Sequence, residues 1–549
     1  MASYVRLMRP FLRRKWWLPF FAPTLFLSLV ILLPFVLLVH SASGSLDLES
    51  AYGSGAIGGL WQRALYNSAV QGVLSAILSV ILGFPLGVFL GRYTMKNGSL
   101  IRSILILPFF LPSIVVVTAF ISTFGGSSTL GGIYPSFRVF STGLTGIVAV
   151  NTFFNAPLVA FLTSGAIERA DVTLEESAST LGVRSPAMFR HIWGRNGILA
   201  ALSGGLITFL YSFAGFTAPL VIGGPSNFTV EAWIYFLVKT LSNIQLGVLF
   251  SLMQSLILIV PVTIYLVIWS KERRVTTAFA RPTGYRRERG IFYFVGLSYL
   301  SICFLLEITI LGSLAVESLT FGRAGHISLN GYSLLFSGII TNAFGISPLL
   351  PFLNTIFYGI LTSLIVTLLG ALWITGKRRA RIRPDTLLDS AQFIPLVIPS
   401  IVMALSISIA YGSNFPSSLT WVLIIAVQSA AAIPVVMRII SSGFASIPDS
   451  LWEAASTING NAFFEVELPL AGSTIVTALM FGFAISVGEF TATNFLSTYT
   501  FMPISVEIYV LQSQRLLAAS YALGTILLVL SVIFFYFIQR IGRSFETIR

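Results

Sequence analysis

Long apolar runs recur along the whole chain, and they constrain its fold more than any other feature. A run of about 20 apolar residues is long enough to cross the hydrocarbon core of a bilayer as a helix. Inside that core the backbone must satisfy its own hydrogen bonds, which favours helices. The sequence therefore predicts an all-α polytopic membrane protein with about twelve transmembrane helices. The predicted spans are approximately 17–41, 65–91, 103–124, 143–163, 197–222, 247–270, 290–316, 354–376, 391–412, 419–441, 471–497 and 517–539.

The basic residues are distributed unevenly between the two sides of these spans. If both termini are cytoplasmic, only five of the 33 Lys and Arg residues fall in outer segments, namely Arg63, Arg138, Lys239, Arg323 and Arg515. Such a bias follows the positive-inside rule. It predicts a multi-pass protein of the cell (plasma) membrane with both termini cytoplasmic. The positive-inside distribution accounts for the net charge of +13. The expected partner is therefore the lipid bilayer, and no nucleic-acid partner is expected.

The two halves of the chain repeat one another. Asn67, Gly72 and Gly83 match Asn354, Gly359 and Gly370 at an offset of 287, and Pro108 and Pro112 match Pro395 and Pro399 at the same offset. Self-similarity of this kind indicates a duplication. Equal span numbers and equal orientation predict two parallel six-helix repeats. The predicted domains are a first half over 1–270 (core about 64–270), a basic cytoplasmic linker over 271–289, and a second half over 290–549 (core about 354–540).

A short polar segment occurs once in each half, between two apolar runs. The first copy covers 173–182 and the second covers 450–460. Each copy has the Ser/Thr-x-x-Glu spacing of a capping box, in which a hydroxyl and a carboxylate satisfy backbone N–H groups at the start of a helix. Each also has a Gly where a helix usually ends. The residues concerned are Thr173, Glu176 and Gly182 in the first copy and Ser450, Glu453 and Gly460 in the second.

These two segments resemble the EAA loop of type I ABC importer permeases, with the approximate pattern Glu-Ala-Ala, two residues, then Leu-Gly. Ser177 replaces the first Ala in one copy, and Asn459 stands at the Gly position in the other. In that family the loop is a coupling helix that docks on a separate ATPase. The resemblance implies two ABC ATPase subunits and an extracytoplasmic solute-binding protein as partners. The implied coupling residues are Glu176, Ala178, Gly182, Glu453, Ala454, Ala455 and Gly460.

Two further stretches are similar to particular members of the family. The region from Ser212 to Tyr235 looks like the corresponding part of fused thiamine and ferric-iron permeases. The run Gly488-Glu489-Phe490-Thr491-Ala492-Thr493 is similar to the Gly-Glu-Phe-Gly-Ala-Thr of thiamine and molybdate relatives. This resemblance suggests thiamine or ferric iron as the cargo.

Three residues are candidates for the transport pathway. Pro112 and Pro399 each remove a helical hydrogen bond and should kink or break the third span of their half. A pathway-lining role and a simple packing kink both fit. Glu489 is the ionisable residue most evidently inside a span, and a membrane carboxylate usually faces a cavity or a partner. If it faces the pathway it favours a cationic cargo; the alternative is a structural partner on a neighbouring helix.

The absent motifs narrow the function. No Gly-x4-Gly-Lys-Ser/Thr loop occurs, so ATP hydrolysis is expected on a separate subunit and the chain itself is not expected to be an enzyme. One Cys and three His without metal-site spacing predict neither a metal nor a cofactor. The main alternative is a secondary (ion-coupled) transporter with two six-span halves, which the paired EAA loops disfavour. A polytopic membrane enzyme is the other alternative, and its expected clusters of acids or histidines are missing.

Overall fold

Helices make up the regular structure of the protein. The computed structural model describes residues 18–45, 56–93, 95, 98–126, 128–168, 177–178, 180–183, 194–276, 290–320, 327–337, 347, 349–380, 394–412, 415–445, 447, 451 and 468–546. Every regular element longer than one residue in these ranges is an α-, 3-10 or π-helix. The predicted all-α fold class is therefore confirmed.

Within the described ranges, an apolar helix lies in each of the twelve predicted spans. The first, α1, runs over 18–45 and consists of Leu18–Leu27, a π-helical turn at Ser28–Leu32, and Leu33–Ser45. The others are α2 (Ala56–Arg92), α3 (Ser113–Phe124), α4 (Gly143–Glu168), α5 (Gly194–Phe213), α6 (Ile244–Thr276), α7 (Ile291–Thr320), α8 (Leu349–Ala380), α9 (Ser400–Tyr411), α10 (Thr420–Ala445), α11 (Gly472–Gly488) and α12 (Leu517–Glu546). Eight are long and apolar enough to cross a membrane, whereas α3, α5, α9 and α11 are shorter. The short helices are thus the third and fifth of each half.

Prolines explain why the third helix of each half is short. In the first half a turn at Leu107–Phe110 is followed by Leu111, whose backbone is extended (ψ 148°), and α3 starts immediately after Pro112. The extended conformation of Leu111 is the one that a following proline ring enforces sterically. The second half repeats the arrangement, with a turn at Ile394–Val397 and α9 starting after Pro399. Both prolines therefore break their spans rather than only bending them.

The fifth helix of each half is also followed by a break and by short helices. After α5 come a π-helical turn (Pro219–Gly223), a 3-10 turn (Pro225–Asn227), Val230–Tyr235 and a second π-helical turn (Phe236–Thr240). After α11 come Thr491–Leu496 and Ile504–Ser513. The predicted spans 197–222 and 471–497 are consequently not single helices. Other short elements are Gly98–Leu105, Thr129–Ile133, Pro135–Ser141, Asn330–Phe336, Ser417–Leu419 and Leu468–Leu470.

The chain forms two compact units, and in each unit the first helix of one half is grouped with the later helices of the other half. One, unit A, comprises Met1–Ser45, Pro348–Val506 and Leu530–Arg549; the other, unit B, comprises Leu46–Ser347 and Glu507–Val529. Unit A therefore holds α1 together with α8 to α11, and unit B holds α7 together with α2 to α6. The predicted halves follow the order of the sequence. They therefore place α1 with α2 to α6 and α7 with α8 to α12, whereas the compact units exchange α1 and α7.

In each unit the regrouped helix makes specific contacts. Within unit A the ring of Phe20 packs edge-on against Trp373 of α8 with centroids 5.4 Å apart, and the Tyr411 hydroxyl of α9 donates to the Leu29 carbonyl at 2.6 Å. Within unit B, α7 packs on α2 and α3. The hydroxyls of Ser122 and Ser313 lie 2.9 Å apart there. Hydrogen bonds as well as apolar packing thus hold each first helix.

A pair of asparagines shows the internal repeat at the level of single hydrogen bonds. The Asn67 amide on α2 donates to the Phe228 carbonyl at 3.2 Å, and the Asn354 amide on α8 donates to the Met502 carbonyl at 3.0 Å. Each amide also donates, at 3.0 Å, to the carbonyl two residues earlier, that of Ser226 or Thr500. The duplicated sequence positions therefore fold into the same tertiary contact.

The neighbouring hydroxyl on each of these helices satisfies the start of a short helix. Ser68 accepts the Val230 N–H at 3.0 Å, and Thr355 accepts the Ile504 N–H at 2.9 Å. The first N–H groups of a helix have no partner within that helix, so a buried start needs an acceptor from elsewhere. In both halves the second long helix thus fixes where this short helix begins.

Candidate coupling loop and translocation site

The described part of the first EAA segment is a capped helical turn. The Leu181 N–H donates to the Ser177 carbonyl at 3.2 Å, and the Val183 N–H donates to the Ala178 carbonyl at 3.0 Å. Gly182 between them has a φ of +74°. A bond from the residue after a left-handed Gly to a carbonyl five residues back is the Schellman pattern that ends a helix. The turn ends at Gly182, where the sequence predicts the end.

This turn presents an apolar side chain to the outside. Leu181 is 82% exposed and Val183 also lies at the surface, whereas Ala178 is half-buried. Glu176 of the same segment lies outside the described residues. So do the coupling candidates of the second copy, Glu453, Ala454, Ala455 and Gly460, although Leu451 at its start is described and exposed.

The breaks in the third and fifth spans meet within each half. Pro112 is buried, and the residue after it, Ser113, shares a hydrogen bond of 2.7 Å with the Thr217 hydroxyl, just beyond α5. In the second half Pro399 is also buried, and α9 packs on the short helix Thr491–Leu496 just beyond α11. Each half therefore brings two interrupted spans together, where freed backbone groups can be satisfied by protein or by a water-filled path.

Glu489 caps the short helix that follows it. Its backbone is extended because α11 ends at Gly488. Oε1 accepts the Ala492 N–H at 2.9 Å, and Oε2 accepts the Thr493 N–H at 2.9 Å and the Thr493 hydroxyl at 2.5 Å. Unpaired N–H groups at a helix start favour a negative charge. The carboxylate thus has structural partners, and they belong to the adjoining turn of the same chain rather than to a neighbouring helix.

A hydrogen-bonded network extends from this cap into the helices of unit A. The Gln428 amide of α10 donates to the Thr493 hydroxyl at 3.0 Å. Its Oε1 accepts from Ser486 of α11 at 2.6 Å and from Thr362 of α8 at 3.3 Å. Four elements are therefore connected through one buried amide.

The first half uses related positions without the charge. Asn151 on α4, which corresponds to Gln428, donates to the Gln71 side chain of α2 at 3.1 Å, and Gln71 donates to the Ser212 carbonyl at 2.6 Å. Gly215 takes the place of Glu489, and its carbonyl accepts the Thr229 hydroxyl at 2.9 Å. Gly215 therefore differs from Glu489 both in charge and in the hydrogen bond that it makes.

Two buried glutamates in the short helices after α5 and α11 were not among the candidates from sequence. Glu231 and Glu507 stand at matching places in the first turns of Val230–Tyr235 and Ile504–Ser513, and both are fully buried. Both carboxylate oxygens of Glu507 are without a hydrogen-bond partner among the described residues. In unit B the hydroxyl of Tyr509 is hydrogen-bonded to Tyr235. The signal available in the sequence was an acid repeated at equivalent positions shortly before an Ile-Tyr pair.

A buried carboxylate without hydrogen-bond donors requires a cation or a proton to offset its loss of hydration. Glu507 is such a carboxylate, and Glu231 is a second buried acid at the start of the equivalent helix. Within the described residues no group of three or more His, Cys, Asp or Glu side chains is arranged to hold a metal ion.

The family model "Binding-protein-dependent transport system inner membrane component" matches the chain twice, over residues 83–310 and 367–546. The two matches cover most of the chain and follow the internal repeat. The chain belongs to this family. It is a multi-pass membrane permease of a binding-protein-dependent ABC importer, with two fused permease halves, and it is not an enzyme.

Individual relatives agree with this assignment. The permease is 24% identical over 463 residues to the "Putative ferric transport system permease protein FbpB 1" of Haemophilus influenzae, with 79% of this chain and 70% of that protein covered. It is 23% identical over 503 residues to the "Thiamine transport system permease protein ThiP" of the same organism, covering 86% and 87%. A match to the "Putative molybdenum transport system permease protein YvgM" of Bacillus subtilis, 24% identical, covers 38% of this chain and 98% of that protein.

Proposed function

We propose that this permease forms the translocation pathway of its importer and is coupled to a separate ATPase through the two EAA segments. Both termini and both segments lie on the cytoplasmic side, where two ATPase subunits dock, and an extracytoplasmic solute-binding protein delivers the cargo. The observation that carries the proposal is the Schellman-capped turn at 177–183 with Leu181 exposed at its tip.

The turn that carries Leu181 is preorganised for binding. Gly182 and the Val183-to-Ala178 hydrogen bond fix the backbone of the turn, so Leu181 is held outward before any partner arrives. A fixed contact loses less entropy on binding than a mobile one. A bulky apolar side chain presented by a rigid turn is suited to a hydrophobic groove on another protein.

The experiment compares two variants at equally exposed apolar residues. Leu181→Glu places a charge at the proposed ATPase contact, whereas Ile327→Glu alters a residue that is 83% exposed in the loop after α7, on the opposite side in the proposed topology. We expect Leu181→Glu to lower copurification of the ATPase by about tenfold, as loss of a buried Leu contact worth about 1.4 kcal/mol would. Ile327→Glu should leave it unchanged. Equal copurification with both variants would contradict the coupling role.

For the cargo we infer a cation, either thiamine or ferric ion. Relatives named for ferric and thiamine transport cover most of this chain, whereas the molybdenum relative covers 38% of it. The buried acids Glu231 and Glu507 and the half-buried Glu489 favour positive charge over an oxyanion. The test is uptake of radiolabelled thiamine, ferric ion and molybdate by the assembled importer in vesicles. Uptake of molybdate alone would contradict the inference.

A further inference from the structure

Unit B contains a cavity that plays no part in the transport function argued above. It has a volume of about 420 Å³ and lies among α2, α3, α4 and α7. Its walls are almost entirely apolar, with Leu82, Phe120, Phe153 and Ile302 among them. A volume of this size is within the range of small-molecule sites in proteins, which is roughly 300–1,000 Å³.

Two polar atoms on different helices line this apolar cavity without hydrogen-bond partners among the described residues. One is Oε1 of Glu307 on α7, a residue only 4% exposed, and the other is Oγ1 of Thr152 on α4, which is also buried. Unsatisfied buried polar groups are rare in folded proteins and call for an explanation such as a bound ligand. Their joint presence on the cavity wall points to a ligand that carries a hydrogen-bonding group.

The other polar residues on this face of α7 are already engaged. Tyr299 donates its hydroxyl to the Leu82 carbonyl at 2.8 Å, and the Cys303 thiol is hydrogen-bonded to Tyr299. Glu307 lies one further turn along the same face. Because its neighbours are satisfied internally, the open oxygen of Glu307 is the group available to a ligand on this wall.

The position of Glu307 restricts how a ligand reaches it. The residue lies about 24 Å from the first residue of α7, at 1.5 Å per residue, and therefore near the middle of the span. Ile302 and Leu306 line the cavity and are also exposed on the outer face of the helix, Ile302 by 62%. The cavity thus opens toward the surface that faces lipid.

We propose that this cavity binds a lipophilic amine that enters from the bilayer. The alkyl part fills the apolar volume, and the amino group meets the Glu307 carboxyl, with the Thr152 hydroxyl as a second hydrogen-bonding group on the cavity wall. An amine suits this pair because it donates hydrogen bonds and carries a charge opposite to that of a carboxylate. A phospholipid is less suitable, since its headgroup stays at the membrane surface and its acyl chain would leave both polar atoms unsatisfied.

The test uses the membrane-permeant reagent dicyclohexylcarbodiimide on the purified permease in lipid vesicles. A protonated Glu307 adds its oxygen to the central carbon of the reagent and its proton to a nitrogen, and the adduct rearranges to a stable N-acylurea with no leaving group. Mass spectrometry of the digested protein measures labelling of the Glu307 peptide. We expect decylamine at ten times its Kd to lower this labelling about tenfold by occupying the site.

Variants and ligand analogues make the test specific. Glu307→Gln should abolish labelling of that peptide. Thr152→Val keeps the carboxyl and the shape, and it should weaken decylamine protection about three- to tenfold by removing one hydrogen bond. Glu507, which lies outside the cavity, serves as the internal control, and any labelling there should be unaffected by decylamine. Equal protection by decane or decanol, or no labelling of Glu307 at all, would overturn the proposal.

Discussion

Glu489 and Thr493 are joined by two hydrogen bonds, because one carboxylate oxygen accepts both the backbone N–H and the hydroxyl of Thr493. The second oxygen accepts the Ala492 N–H. An acid placed inside a predicted span therefore serves to start a helix where that span is interrupted. This capping role is compatible with a negative charge beside the pathway, and the two contributions are separable by mutation.

The first prediction concerns the stability that this cap provides. Glu489→Gln leaves one side-chain oxygen to accept from three donors, the Ala492 N–H and the N–H and hydroxyl of Thr493, and it removes the charge at the helix start. It should therefore lower the free energy of unfolding by about 1–3 kcal/mol. Thr493→Val, which removes the hydroxyl that bonds both Glu489 and Gln428, should also cost about 1–3 kcal/mol. Thermal melting of the purified variants in detergent measures both. A Glu489→Gln variant with unchanged melting but reduced cation uptake would instead assign the residue to the pathway.

The second prediction uses the duplicated asparagines. Asn67→Ala and Asn354→Ala each remove two hydrogen bonds between a long helix and an outer loop, so each should destabilise the protein by about 1–3 kcal/mol. Asn330→Ala, at an exposed position on a short helix, is the control and should change stability by less than about 0.5 kcal/mol. Comparable melting losses for the first two variants are expected. A large loss from one and none from the other would show that the repeated contact does not have a repeated role.

The third prediction tests the regrouping of the first helices. Ser122→Cys and Ser313→Cys, in a Cys303→Ser background, place two thiols where hydroxyls now lie 2.9 Å apart. Because a disulfide needs Cβ atoms about 3.5–4.5 Å apart, this pair should oxidise readily. Cleavage at a protease site inserted in the basic segment after α6 should then leave the two fragments linked on a non-reducing gel.

The matched control for this cross-link pairs Ser122→Cys with Ser301→Cys. Ser301 lies three turns earlier on α7, about 18 Å from Ser313 along the helix, and it is exposed. No cross-link is expected from this pair. If both pairs, or neither pair, hold the fragments together, the packing of α7 on α3 is refuted.

The sequence was sufficient for the spans and for the proline breaks, and the reasons are local. Apolar run length determines whether a helix crosses a membrane, and the rings at Pro112 and Pro399 act on their immediate neighbours. The exchange of α1 and α7 could not be predicted, because hydropathy does not distinguish one apolar neighbour from another within a bilayer. The Glu489 cap was missed since it depends on α11 ending at Gly488, which an apolar run does not show. The cavity at Glu307 could not be predicted either, because it requires the packing of four helices.

The fourth prediction concerns the glutamates of the EAA segments. Glu453→Lys should uncouple ATP hydrolysis from transport while leaving the permease folded, since it removes a predicted cap worth about 1 kcal/mol and inverts a charge at the proposed ATPase contact. Glu176→Lys should act in the same direction and more mildly. ATPase activity and uptake by the reconstituted importer, with Ile327→Glu as a charge-introducing control, measure the effect. Unchanged coupling in both lysine variants would remove the glutamates from the coupling role.

The central claim is that a separate ATPase drives transport through this permease. It is tested most directly by measuring cargo uptake into vesicles that contain the permease, with and without its ATPase subunits, in the presence of binding protein and ATP. We predict that uptake requires both ATP and the ATPase subunits and is unaffected when ion gradients are dissipated. Uptake by the permease alone, driven by an ion gradient without ATP, would contradict the claim and would identify a secondary transporter.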